Sequence, residues 1–65
     1  MTKVYTLIEF IDGDVSVSVY GTLEAALGQA EELASLCDFE ESHKHYWTSP
    51  ADTGDYIEIQ AKEVL

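Results

Sequence analysis

Sixty-five residues make one domain, 1–65, because a chain this short buries only about 60% of its unfolded surface and cannot divide a core in two. A hydrophobic fraction of 46%, with four Tyr, two Phe and one Trp, is that of a folding domain and excludes a disordered acidic tail. Thirteen acidic residues against Lys3, Lys44 and Lys62 give a formal net charge of -10, which excludes direct binding to nucleic acid or anionic membrane and favours basic surfaces.

The chain opens with Met-Thr-Lys-Val-Tyr, strand-like alternation without a signal-peptide pattern. No apolar run approaches the roughly 20 residues that cross a bilayer, so the expected compartment is the cytoplasm. Lys3 to Ile11 reads as a strand, Asp12-Gly13 as a tight turn of the primed type, and Asp14 to Tyr20 as the antiparallel partner. If Ile11 faces Asp14, then Phe10 faces Val15, Ile8 faces Val17 and Thr6 faces Val19. That gives one nearly all-apolar face, expected to meet the helix that follows. The other face carries Tyr5, Leu7, Glu9 and Ile11, with Ser16, Ser18 and Tyr20 opposite.

Gly21-Thr22 opens a helix with Thr22 as N-cap and Glu24 in its first turn, where a negative charge suits the dipole. Leu23, Ala26, Leu27, Ala30, Leu33, Ala34 and Cys37 recur at helical spacing and form its apolar face. Cys37, the only cysteine, has no disulfide partner and is expected to be a small buried hydrophobe. His43 to Ser49 is a short third strand or a loop, and Pro50 to Asp55 is turn-rich. Tyr56 to Lys62 then alternates, with Ile57, Ile59 and Ala61 inward. The expected fold class is α+β, a small ββαββ domain whose antiparallel sheet carries one amphipathic helix on one face.

Glu24, Glu31 and Asp38 recur every seven residues and would line one helix flank about 10 Å apart. Glu32 broadens that ridge, and Glu40 and Glu41 extend it into the following loop. A solvated helix face explains such a ridge, and so does a surface offered to the basic groove of another protein. A domain of this size is expected to be roughly 28 Å across. Duplex B-DNA carries about 16 negative charges over that length, so the chain's charge lies within a factor of two of DNA.

Secondary candidates for partner binding are Asp12 and Asp14 at the turn, and Tyr5, Tyr20 and Tyr56 with Glu58 on the outward side of the sheet. Tyr5, Leu7, Ile11, Tyr20 and Tyr56 form an open face for a partner or a second copy, making the chain a monomer or a homodimer. Glu9 and Glu58 would form a carboxylate pair if their strands were neighbours, although a surface charge lattice explains them as well. His43-x-His45 would put two imidazoles on one side of a strand near Cys37, but the spacing fits no standard zinc pattern. No metal or cofactor is expected. Cys37 with His43 lacks an oxyanion hole, and neither a glycine-rich phosphate loop nor G-x-S-x-G occurs. The chain therefore reads as a binding protein, not an enzyme.

In size, acidity and ββαββ layout the chain resembles small acidic proteins of phages and mobile elements, and as a type the anti-CRISPR proteins that mimic DNA. That resemblance implies a stoichiometric inhibitor in the DNA-binding groove of a CRISPR surveillance complex, with Glu24, Glu31, Glu32, Asp38, Glu40 and Glu41 in place of phosphates. Locally, Gly21-Thr22-Leu23-Glu24-Ala25-Ala26-Leu27, followed by Gln29-Ala30-Glu31-Glu32-Leu33, is similar to the helix of HicB-type antitoxins. This second resemblance implies an antitoxin or adaptor module that binds protein through the tyrosine-bearing sheet face. A small metal-dependent enzyme resting on His43 and His45 is the third class.

Overall fold

The computed structural model describes residues 2–51 and 53–64. Two strands, β1 (Thr2–Ile11) and β2 (Asp14–Tyr20), lead into one helix, α1 (Leu23–Leu36). Three further strands follow, β3 (Glu40–His43), β4 (Tyr46–Thr48) and β5 (Tyr56–Val64). They form one five-stranded antiparallel sheet in the order β2-β1-β5-β4-β3. The protein is thus a small α+β domain with the order ββαβββ, not the expected ββαββ, because the segment after the helix supplies two short strands before the last one. Among the described residues no helix is long and apolar enough to cross a membrane.

The first hairpin follows from its turn. Asp12 and Gly13 both have positive φ, 54° and 82°, the pair of left-handed conformations that a two-residue primed turn requires and that Asp-Gly supplies at low cost. The register runs from Ile11 opposite Asp14 to Tyr5 opposite Tyr20, as the alternation predicts.

The helix begins where the hydroxyl of Thr22, on extended backbone, accepts the N–H of Ala25 at 3.2 Å. It ends in a Schellman arrangement: Phe39 N–H donates to the Ala34 carbonyl at 2.8 Å, and Asp38 N–H to that of Ser35 at 3.3 Å. Asp38 occupies the left-handed position at φ 57°, and Phe39 folds back against the core. Fourteen residues make a rod of about 21 Å, close to the roughly 19 Å between the outer strands of a five-stranded sheet. The helix therefore carries the chain from the β2 edge across to the β3 edge.

The core is one layer deep. Ala26, Ala30 and Ala34 form a buried stripe on the helix, and Leu7, Trp47, Ile57 and Ile59 rise from the sheet to meet it. Alanines bring the helix axis close to the sheet, while the bulk comes from the strands. Tyr5, Tyr20, Leu23, Leu27, Leu33 and Phe39 pack around this centre.

Five further expectations are corrected. The helix covers the face of Tyr5, Leu7 and Tyr20, not the valine face, because Leu7 lies opposite Ile59 and Glu9 opposite Ile57 across β1 and β5. The two inward isoleucines thereby fix the buried side. The segment from Phe39 to Ser49 forms a hairpin of two strands joined at Lys44-His45, with His45 at φ 60°. Cys37 is exposed, because the Schellman turn ends the helical stripe at Ala34. Glu9 and Glu58 sit on neighbouring strands but point to opposite faces, since Glu58 is opposite Ile8. Finally, the molecule measures 40 × 20 × 17 Å, longer than a 28 Å sphere.

Candidate functional site

The acidic residues divide into separate groups. Glu24, Glu31 and Glu32 are exposed on α1, so Glu24 and Glu31 keep their spacing of about 10 Å along the helix. Asp38 does not continue that line, because its left-handed conformation turns the chain off the helix axis. Glu40 and Glu41 belong to β3, not to a loop. Consecutive residues of a strand point to opposite faces, so Glu40, opposite Thr48, faces the open side, and Glu41, opposite Trp47, faces the helix side. The ridge read from the sequence is thus an acidic helix flank plus a separate acidic edge strand.

Asp38 is doubly unfavourable for stability. A side chain other than glycine costs energy in the left-handed region, and a carboxylate near a helix C-terminus meets the negative end of the dipole. No basic residue occupies the last turn of α1 to offset it.

A third acidic group forms where the first hairpin meets the loop before β5. The backbone N–H of Asp12 donates to Oδ1 of Asp55 at 3.3 Å, bringing Asp55 beside Asp12. Ser49 N–H closes the loop onto the Asp55 carbonyl at 3.3 Å. The Thr53 hydroxyl accepts the N–H of Asp55 at 3.4 Å, and Gly54 turns at φ 86°.

The open sheet face differs in composition. Val15, Val17 and Val19 of β2 are 60–63% exposed. Beside them on β1 stand Thr6, Ile8 and Phe10. Phe10 stacks on Tyr56 at 5.7 Å between ring centroids, Tyr56 on Tyr46 at 5.6 Å with the planes 6° apart, and His43 meets Tyr46 edge-on at 6.1 Å. This row crosses four strands. Glu58 sits in the middle of the face, between Ile8 and Tyr46, and accepts a hydrogen bond from Gln60 Nε2 at 3.2 Å. Where the aromatic row meets the acidic corner, Tyr46, Thr48, Ser49, Gly54, Asp55 and Tyr56 line an open pocket of about 300 Å³. Two tyrosines and one carboxylate suit a guanidinium or ammonium group, which gains from the negative charge and from hydrogen bonding to it.

Of the residues singled out in the sequence, the fold brings Asp12 and Tyr56 to this corner and leaves Glu58 on the open face, while Asp14, opposite Ile11, takes a helix-side register position. Tyr5 and Tyr20 are on the opposite side, partly buried under the helix. Asp55, Phe10 and Tyr46 were not anticipated. The signal for them is the cross-strand register, in which Phe10 faces Tyr56 and Tyr46 faces Glu58. His43 and His45 do not share one side of a strand, because the turn intervenes. Among the described residues no group of three His, Cys, Asp or Glu is placed to hold a metal ion.

Comparison of the chain with protein-family models, curated proteins and solved structures gives no match to any of them.

Proposed function

We propose that this protein is a non-catalytic inhibitor that acts in the cytoplasm by occupying the basic, nucleic-acid-binding groove of another protein in place of DNA. A subunit of a CRISPR surveillance complex is the partner class. The observation that carries the reading is charge: three lysines can offset at most three of thirteen acids. Six of the exposed acids occupy the helix flank (Glu24, Glu31, Glu32), the C-terminal turn (Asp38) and an edge strand (Glu40, Glu41). Asp38 adds weight, because it keeps a charge where a neutral residue or glycine would serve the fold better.

Shape bears on the strength of the mimicry. Along its 40 Å length duplex DNA carries about 24 charges at one per 1.7 Å, against this chain's net ten. The protein therefore offers under half of DNA's charge density, and shape and aromatic contacts must supply the remaining affinity. The pocket at Tyr46, Asp55 and Tyr56 is a seat for one arginine or lysine of such a groove, with Asp12 and Glu58 nearby.

The test is competition for target DNA on a purified CRISPR surveillance complex, followed by fluorescence anisotropy of the DNA. The wild-type chain displaces the DNA, and the combined reversal Glu31→Lys, Glu32→Lys, Glu40→Lys and Glu41→Lys abolishes displacement while leaving the circular dichroism unchanged. No displacement by a folded wild-type chain rejects the reading.

A second reading, an adaptor or HicB-like antitoxin module that binds protein through its sheet, is favoured by the stack of Phe10, Tyr56 and Tyr46 on the open face. The two readings differ in salt dependence: a charge-driven complex weakens sharply between low and moderate salt, and one seated on the sheet face does not.

A further inference from the structure

The two edges of the sheet are unlike. The β3 edge is four residues long, carries Glu40 and Glu41, and has a register irregularity between Glu41 and His43. Short, charged and bulged edges resist pairing with other strands. The β2 edge has none of these protections: from Val15 to Tyr20 it is uncharged, regular and exposed over most of its length.

Its backbone is also poised to pair. In a hairpin with a two-residue turn the closing pair, here Ile11 and Asp14, is hydrogen-bonded, and bonded pairs then alternate along the ladder. Asp14, Ser16, Ser18 and Tyr20 accordingly direct their N–H and C=O groups to β1. Val15, Val17 and Val19 direct theirs outward, where the strand order β2-β1-β5-β4-β3 leaves no neighbour among the described residues.

The sequence of this edge, Val15-Ser16-Val17-Ser18-Val19, is a palindrome. We propose that β2 pairs antiparallel with β2 of a second copy of this chain, about a two-fold axis through Val17, to form a continuous ten-stranded sheet. A two-fold interface needs a self-complementary surface, in which each residue meets its own kind or an exchanged partner. In this register Val17 faces Val17 of the second copy and Val15 faces Val19. All three outward valines lie at hydrogen-bonding positions, so every outward backbone group between Val15 and Val19 is satisfied. The valines line up on the open face and the serines on the helix side, as the pleat requires.

Charge supports the same occupant. Asp14 falls opposite Tyr20 and Asp12 opposite Thr22, so no two acids face each other across the ladder, and Glu40 and Glu41 lie at the two far ends of the joined sheet. The remaining obstacle is the repulsion between two molecules of net charge -10 each, which salt screens. Dimerisation should therefore tighten with added salt, opposite to the behaviour of a contact with a basic partner.

Sedimentation equilibrium over a concentration series, with circular dichroism as the check on folding, tests this together with backbone amide exchange. The wild type sediments at about twice 7.2 kDa at the upper concentrations. Amides of Val15, Val17 and Val19 become more protected as concentration rises. Val17→Pro removes an outward N–H while sparing the bonds to β1, and Val17→Lys sets like charges opposite each other. Either one, folded, sediments as a monomer. A wild type that stays at 7.2 kDa throughout, with concentration-independent exchange at the three valines, overturns the proposal. So does a folded Val17→Lys dimer. Where neither variant folds, the wild-type exchange data decide.

Discussion

Asp38 sits at φ 57° at the end of the helix with no cation in the preceding turn, so both its backbone and its charge oppose folding. Replacing it with glycine removes both terms, and Asp38→Gly should stabilise the domain by about 1 kcal/mol in urea denaturation. The same turn leads the chain out of the helix at Cys37, whose thiol is exposed. A thiol reagent should therefore titrate Cys37 in the native protein, and reaction only on unfolding would place it back in the core. The heptad of Glu24, Glu31 and Asp38 is real in the sequence, yet spacing alone does not reveal that a non-glycine residue will adopt the left-handed conformation. Thr22 as N-cap was legible, because a hydroxyl before an apolar stripe satisfies a free N–H, as its bond to Ala25 does.

Among the elements, the first hairpin was the most legible, since a two-residue Asp-Gly turn and period-two alternation together leave only one register. What they leave open is which face is covered. Both faces of the hairpin carry apolar side chains, and the choice falls to β5, more than 40 residues away, whose Ile57 and Ile59 share a side with Leu7. That long-range pairing leaves no local trace, so the sequence read alone favoured the valine face. The same gap placed Tyr5 and Tyr20 on the open side. The short β3 and β4 were blurred because Lys44-His45 is a weak turn signature and His45 supplies the positive φ without glycine. In α1, Gly28 is exposed, and an added Cβ there would meet nothing within 4 Å. Gly28→Ala should therefore stabilise the helix by about 1 kcal/mol, read as a higher urea midpoint with unchanged slope.

For the whole molecule, the surplus of acids bears on folding as well as on the proposed partner. Like charges over a body 40 × 20 × 17 Å repel one another, and the Debye length falls from about 30 Å at 0.01 M salt to about 8 Å at 0.15 M. The melting temperature should rise as sodium chloride is added over that range. A fall would mean that attractive ion pairs outweigh the repulsion. The acidity, the absence of a long apolar run and the α+β class were visible from composition and patterning. The elongation and the aromatic corner depend on sheet order and were not. The proposed seat for a basic side chain at Tyr46, Asp55 and Tyr56 requires that the helix cover Leu7 and leave the face of Val17 open. The measurement that tests this most directly is a pair of thermal melts, for Leu7→Lys and Val17→Lys. Leu7 is fully buried and Val17 is 60% exposed. At a protein concentration where the wild type is monomeric, the expected result is loss of the cooperative transition for Leu7→Lys and a melt close to wild type for Val17→Lys. A folded Leu7→Lys beside an unfolded Val17→Lys would put the helix on the other face and contradict the account.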